Sequence, residues 1–279
     1  MNGAPPATLL ETRFPVNVVA MNIRSPDHVV ATFDGVDALS FLQSQLTNDV
    51  AALAVGAWQW QGYCSAKGRL QATFALVRTS EFGFLAVLHH SVAANLVKRL
   101  TMFRMRAKLA IELNTAATVW LHLSPPAPEV DSLASLDLGH GRWVTVDKSA
   151  GTEVAISDSD SAFMQRWNGL GIDALQPEIT AATADMFVPQ MINWDHVQPG
   201  GGVSFSKGCY PGQEVVARAH YRGAVKRQLE RQVLPGDANP ANGEDVTLVD
   251  GRIAAVCNAA LRDLESVVAL VVTAPAETR

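Results

Sequence analysis

The chain has 279 residues, 48% of them hydrophobic and 18% charged, with a formal net charge of -5. That length allows two or three compact units with room for real cores. The acidic balance argues against strong nucleic-acid binding, because proteins that grip phosphate backbones carry the opposite sign, although a local basic groove stays open. Cys64, Cys209 and Cys257 lie far apart, with no Cys-x-x-Cys pair and no structural-zinc spacing, so no metal site is expected and reduced thiols in a cytoplasmic setting fit best. The opening MNGAPPATLLETRF lacks the basic start of a signal peptide, and no apolar run approaches the roughly 20 residues that span a bilayer, so no membrane contact is expected.

Residues 1–25 are Pro-rich without a clear period and read as a loose arm. A strand at 28–33 leads into a helix that Asp34 can cap, with Asp37 in its first turn and Leu39, Leu42 and Leu46 on one stripe. The stretch 58–77 reads as two strands around a Lys67-Gly68 turn, and 82–88 as another strand. Ser91 is the expected cap of a helix that places Val92, Leu96, Leu100 and Phe103 on one side. Met105, Ala107, Leu109, Ile111 and Leu113 then alternate with Arg104, Arg106 and Lys108, which predicts a strand with one buried face and one basic face.

Further along, strands are expected at 142–146 and 153–156. A helix carrying Phe163, Trp167 and Leu170 follows, and Gly171 is expected to stop it. Beyond the Pro/Gly-rich stretch 235–243 the pattern is all-β. Runs at 246–249 and 252–256 flank Asp250-Gly251, a type I′ hairpin signal, and 267–272 is a buried strand. Helices and hairpins mix irregularly, so the fold class is α+β rather than a doubly wound parallel sheet.

The densest cluster of unusual residues is KGCYPGQE at 207–214. Two glycines and a proline specify a shaped loop, and a short helical pattern follows. Cys209 therefore sits just before a helix start and beside Lys207, both of which favour a thiolate, and it is the candidate functional thiol. Cys64 and Cys257 lie in strand-like text and read as small core hydrophobes. His220, on the same helix, reads as a solvated or capping histidine more readily than as a catalytic partner.

The segment KGCYPGQEVVARAHYRG at 207–223 is similar to the signature of the YgfZ-type, folate-binding branch of the glycine-cleavage T-protein (aminomethyltransferase) superfamily. FLQSQLTNDV at 41–50, GYCSAKGRL at 62–70, RMRAKLAIE at 104–112 and FVPQMINWD at 187–195 resemble the same family in the same order. The resemblance implies two ferredoxin-like α+β domains and a small C-terminal β-barrel, arranged as a ring around a central folate channel. The divisions it suggests are 1–55 with 113–175, then 56–112 with 176–222 carrying the signature loop, then 223–279. Its implied cofactor is tetrahydrofolate or a related reduced folate. Its implied partners are iron–sulfur client enzymes, radical-type tRNA methylthiotransferases among them.

A folate asks for an apolar slot, polar groups at the pterin edge and cations near the tail. The candidates are Asn48, which either reads a pterin edge or ends its helix; Tyr63 and Tyr210 for stacking; Arg104 and Arg106 with Lys108 as a basic row or a solvated face; and Lys207, Gln213, Glu214, Arg218 and Arg222 around the signature loop. True glycine-cleavage T-proteins carry an aspartate after the Gly68-type turn, whereas Gln71 and Ala72 offer no acid here. Whether the chain catalyses a reaction stays open among three readings. These are an accessory factor for iron–sulfur clusters with Cys209 as its thiol, a folate-dependent one-carbon transferase or demethylase, and an RNA-contacting module.

Overall fold

The structure is a computed structural model that describes residues 22–126, 132–148, 158–223, 225–262 and 265–275. The expected arm up to residue 21 and the strand at 153–156 lie outside the described residues. In chain order the first half runs β1 (Asn22–Arg24), β2 (His28–Asp34), α1 (Ala38–Gln45), β3 (Trp58–Cys64), β4 (Leu70–Arg78), β5 (Gly83–His89), α2 (His90–Arg104) and β6 (Ala110–Leu113). It continues with β7 (Thr118–His122), β8 (Ser132–Gly139), β9 (Arg142–Asp147), α3 (Asp158–Asp173), a 3-10 turn at Pro189–Ile192, α4 (Gln213–Arg222), β10 (Gln228–Pro235), β11 (Asp245–Thr247), β12 (Ile253–Leu261) and β13 (Ser266–Thr273).

These strands form three antiparallel sheets, and the fold is α+β. The first has the order β3-β4-β5-β2-β6. With α1 and α2 on one face, β4-β5-β2-β6 is a ferredoxin-like arrangement with β3 added at its edge. Period-two alternation decides the sides. Phe84, Ala86 and Leu88 of β5 face the helices, together with Phe33, Phe74 and Leu76. Leu85 and Val87 face the opposite way, onto the second sheet. Both faces are covered, which is why β5 reads as an unbroken apolar run.

The second sheet has the order β1-β7-β9-β8. Its Val119, Leu121, Leu136 and Val144 meet Val30, Ala75 and Val77 of the first, with Phe163 and Trp167 of α3 closing the layer. The third sheet, β10-β13-β12-β11, is a half-barrel. Val268, Leu270 and Val272 of β13 face the 176–216 region, while Val267, Ala269 and Val271 face a smaller core of their own. The expected division at residue 55 runs through the first sheet, because β2 is hydrogen-bonded between β5 and β6. Sheet membership instead changes after residue 113.

Four local expectations change. The first helix starts after Asp37 rather than Asp34, and the Asp37 carboxylate accepts the Lys108 backbone N–H at 2.7 Å instead of capping its own helix. Ser91 lies inside α2, whose cap is His89, with Nδ1 accepting from the Ser91 N–H. The basic strand row does not exist. Arg104 is the last residue of α2, Met105 is 87% exposed with φ 47°, and only Ala110–Leu113 joins the sheet. Helical i+4 and strand i+2 patterns overlap in this stretch, and helix continuation wins to residue 104. At Asp250-Gly251 the hairpin forms around a three-residue loop, closed by Leu248 and Arg252, with Gly251 alone at positive φ; a type I′ turn would need two such residues.

The signature loop is seated by backbone contact. Gly212 caps α4 at φ 80°, and a methyl placed there would lie 2.6 Å from the Gly68 Cα and collide with the Ser65 carbonyl. The β3–β4 turn and the loop at 207–212 therefore fit only because residue 212 has no side chain. Gly212→Ala combines strained backbone with a clash and should cost roughly 1–3 kcal/mol. Thermal denaturation checks this, and an unchanged Tm would mean that the loop is not seated on the turn.

Candidate functional site

Where the three sheets meet, the chain encloses a cavity of about 200 Å³. Thr73, Phe74 and Ala75 of β4 and Val87 and His89 of β5 form one wall. Leu136, Leu138, Arg142 and Val144 of the second sheet and Trp167 and Gly171 of α3 form another. Asn258 and Ala259 of β12, Trp60, Trp194 and the segment 176–178 complete it. The walls are mixed, with aromatic and aliphatic side chains such as Trp60, Phe74 and Trp167 interleaved with polar groups such as His28, Arg142, Gln176 and Glu178, a make-up that can both enclose a small molecule and orient it.

Three ionisable groups dominate. Glu178 Oε1 lies 2.9 Å from His28 Nε2, and Ser25 Oγ lies 2.7 Å from His28 Nδ1. Burial pushes the His28 pKa down, but the Glu178 carboxylate more than offsets this and the net shift is upward. Burial likewise pushes Glu178 up, and the His28 charge, with Arg142 adding to it, brings it below the ordinary carboxylate value. Arg142, 6% exposed, is lowered to about 10 by burial and stays charged at neutral pH.

The Arg142 guanidinium stands 5.1 Å from the Trp167 ring and fills the notch at Gly171, where a Cβ would come 2.7 Å from Nη1. This close approach explains why α3 runs through Gly171 instead of stopping there. Arg142 Nε and Nη2, Gln176 Oε1 and Trp194 Nε1 have no hydrogen-bond partner among the described residues, and all four belong to cavity-lining side chains. Leaving such buried groups unpaired costs roughly 1–3 kcal/mol each, and Arg142 and Gln176 bring three of them to this one cavity. Asp27, His89 and His90 bring three donor atoms within 4.8 Å of one another at its edge. Of the two histidines, His89 Nδ1 lies 2.8 Å from Ser91 Oγ and His90 Nδ1 lies 3.1 Å from the Asp27 carbonyl.

None of the site residues expected from sequence lines this cavity. Asn48 spends its amide on structure, donating to the carbonyls of Trp60 (3.1 Å) and Gly201 (3.0 Å) and accepting the Asp49 N–H. Tyr63 is 1% exposed in the helix-side core. Arg104 donates to the Leu109 carbonyl at 3.0 Å, and Arg106 is exposed. Tyr210 is buried, and that burial raises its phenol above the ordinary range. Gln213 opens α4, and Glu214 pairs with Arg218 at 2.7 Å on its exposed face, a pair of little energetic weight. Arg222 ends that helix, exposed.

The cysteine loop is a second, separate feature. Lys207 turns its ammonium inward, onto the carbonyls of Leu46 and of Asn48 (3.1 Å) and 5.3 Å from the Tyr210 ring, and burial lowers it to about 8. It anchors the loop to the end of α1, while Cys209, two residues on, is exposed. His220 stacks on Phe205 at 3.7 Å. Gln71 donates to Asp185 Oδ1 at 2.8 Å, outside the cavity.

The sequence reading missed His28, Arg142 and Glu178. Gly171, just after the Phe163, Trp167 and Leu170 stripe, was the one local sign of a close approach. The other two stand in ordinary strand and loop text.

No family profile matches the chain. By overall fold it resembles the crystal structure of glycine cleavage system aminomethyltransferase T from Bartonella henselae, with a TM-score of 0.65 over 88% of this chain and 76% of that one. The two are 14% identical, so the likeness defines an aminomethyltransferase-type fold and nothing finer. In sequence it is 30% identical over 273 residues to the tRNA-modifying protein YgfZ of Enterobacter sp. (strain 638), covering 88% of this chain and 81% of that one. The chain belongs to the YgfZ family.

Two expected outcomes follow from these geometries. Cys64 and Cys257 are buried, which pushes the first thiol far up and the second to about 12, whereas Cys209 is exposed. Native labelling with iodoacetamide, read by mass, should modify Cys209 first and the other two only on unfolding. Early labelling of Cys64 or Cys257 would contradict the packing.

The second concerns pH. The His28 contribution to stability is full below its ordinary value of 6.5 and is lost as pH rises through its raised value. The Glu178 contribution is full above its ordinary value of 4.5 and is lost as pH falls through its lowered one. The pair stabilises most between those two ordinary values. Glu178→Gln should therefore lower Tm most in that window, by roughly 2–4 °C for a loss of about 1 kcal/mol. The gap should narrow toward pH 8.5, and a gap independent of pH would show that the pair is not charged.

Proposed function

We propose that the chain is a folate-binding accessory protein that supports iron–sulfur clusters in client enzymes, tRNA-modifying ones among them, with a reduced folate in the central cavity and Cys209 as its functional thiol. The observation that carries the reading is the Glu178 carboxylate at a cavity that also holds the aromatic side chains of Trp60 and Trp167. Oε1 takes His28, and the second oxygen is left for a ligand's N–H groups. A pterin head offers such donors at its 2-amino and N3–H edge, with an aromatic surface for Trp60 and Trp167. The residues present fit that head. The enclosed volume suits the bicyclic ring rather than the whole molecule, so the glutamate tail belongs outside, where single cations rather than a basic row would meet it. When bound, the folate supplies a one-carbon or redox-active centre; the chain's own groups orient the ring, exclude water and hold a proton between His28 and Glu178.

The name of the relative, a tRNA-modifying protein, supports a link to tRNA modification. The acidic net charge favours a route through a client enzyme rather than direct RNA contact. The exposed thiol on a shaped loop, outside the cavity, suits contact with a protein partner. A one-carbon transferase is the second reading, and the His28–Glu178 pair favours it as a ready acid–base couple beside the ring site.

Calorimetric titration of the purified protein with 5-formyltetrahydrofolate should give saturable heat and a raised Tm, and Glu178→Gln should weaken binding at least tenfold. In cells lacking the protein, the wild type should restore activity of iron–sulfur enzymes, and Cys209→Ser should not. Absence of both heat and thermal shift would sink the folate reading. Full complementation by Cys209→Ser would sink the thiol assignment. Turnover of tetrahydrofolate with a one-carbon donor would promote the second reading.

A further inference from the structure

Arg142 opens β9 and is 6% exposed, yet among the described residues no carboxylate forms a salt bridge with it. Buried arginines are ordinarily paired. This one is held by an aromatic face and a glycine notch instead, Trp167 at 5.1 Å and Gly171 against Nη1. Its unpartnered atoms are Nε and Nη2. They lie on the same edge of the guanidinium, and their N–H bonds run parallel, the fork that takes a carbonyl or carboxylate. The group is thus positioned, charged and unsatisfied in the wall of the cavity that Glu178 also lines.

We propose that Arg142 is the specificity residue of this cavity, taking the C4 oxo group of a 2-amino-4-oxo-pyrimidine head through its Nε/Nη2 fork. The inference rests on the reduced-folate reading above and sharpens it. In such a ring the oxo group adjoins the 2-amino/N3–H edge, so a site with an acceptor carboxylate and a donor fork offers complementary groups to neighbouring edges of one ring. A 4-amino ring would set N–H against N–H at Arg142 and leave the buried donors unpaired, the situation that gives hydrogen-bonding sites their strong discrimination.

Folic acid and aminopterin differ only in the 4-oxo or 4-amino group and are the probes. Wild-type protein should bind folic acid at least tenfold more tightly, measured by calorimetry or by quenching of tryptophan fluorescence. Arg142→Met, of similar length and without donors, should lose that preference while keeping or raising Tm, because the unpaired donors are gone. Arg142→Lys should keep the charge, lose the fork and retain only part of the preference. Equal wild-type affinity for the two compounds would overturn the Arg142 assignment and leave the folate reading standing; binding of neither, together with no heat from 5-formyltetrahydrofolate, would overturn both, and binding of 5-formyltetrahydrofolate alone would overturn only the Arg142 assignment. Competition by p-aminobenzoylglutamate that Arg142→Met abolishes would also overturn it, by showing that the fork holds a tail carboxylate. Wild-type discrimination is decisive by itself, even if the variants do not fold.

Discussion

The segment 176–181 is the polar strap on which the arrangement of the three sheets depends. Gln176 donates to the Leu138 carbonyl of the second sheet at 2.7 Å. Glu178 reaches His28 of the first sheet with its side chain, and with its backbone N–H and C=O it meets Asn258 of the third at 2.8 and 3.1 Å. Ile179 N–H donates to Thr73 Oγ1 of β4, and Ala181 N–H to Ser91 Oγ of α2. A non-regular segment has no ladder to satisfy its backbone groups, and the side chains that take those of Glu178, Ile179 and Ala181 come from the third sheet, the first sheet and α2. Hydrophobic burial brings the sheets together without fixing their register; these directional bonds fix it. The same strap delivers Glu178 and Gln176 to the cavity, so assembly of the fold and of the site is one event.

Much of the fold was legible in sequence, for identifiable reasons. Where one periodicity dominates, as in the apolar run of β5, the turn at Lys67-Gly68 or the strand 267–272, local chemistry and tertiary packing agree and the element forms where expected. The failures sit where two patterns compete. RMRAKLAIE satisfies strand alternation and also continues the stripe of α2, and burial of Leu96 and Leu100 draws the helix on to Arg104. Gly171 is a helix stop by propensity but a helix interior by packing, because the Arg142 guanidinium needs its missing side chain. The expected unit 223–279 contains every strand of the third sheet, whereas the grouping of the earlier strands was not legible. Which strands share a sheet depends on contacts distant in sequence, such as β2 with β5 and β6.

The site was legible only in its exposed half. A dense motif such as KGCYPGQE announces itself because glycines, proline and cysteine are unusual neighbours, and it does form a shaped loop before a helix with an exposed thiol. Its flanking residues were assigned to a ligand on the same basis, and none of them lines the cavity. Lys207, Asn48 and Tyr210 use their polar atoms or their bulk to hold the loop on the end of α1. The cavity is assembled from residues that stand singly, His28, Arg142, Gln176, Glu178 and Asn258, each unremarkable among its neighbours. Only the three-dimensional arrangement of their side chains around one cavity makes them a set.

Loop and cavity are nevertheless two sides of one wall. Trp60 lines the cavity, packs edge-on against Trp194 with centroids 5.5 Å apart, and donates from its indole to the Gln198 carbonyl at 3.1 Å. From there the chain turns at 199–202, where Thr47 and Asn48 take the carbonyls of Gly202 and Gly201. Those two residues stand beside the Leu46 and Asn48 carbonyls that hold Lys207, two positions before Cys209. Every link in this chain is a buried contact or a hydrogen bond, so a ligand that displaced Trp60 or Trp194 would press on the seat of the thiol loop. Contiguity of this kind does not itself amount to coupling, which requires an element with two arrangements that both sites bias. It does restrict where such an element can lie. Among the described residues, the segment 194–204 and the direct hydrogen bond from Asn48 to the Trp60 carbonyl both join the cavity wall to the anchor of the loop, and an element coupling cavity and thiol loop would lie in that packing.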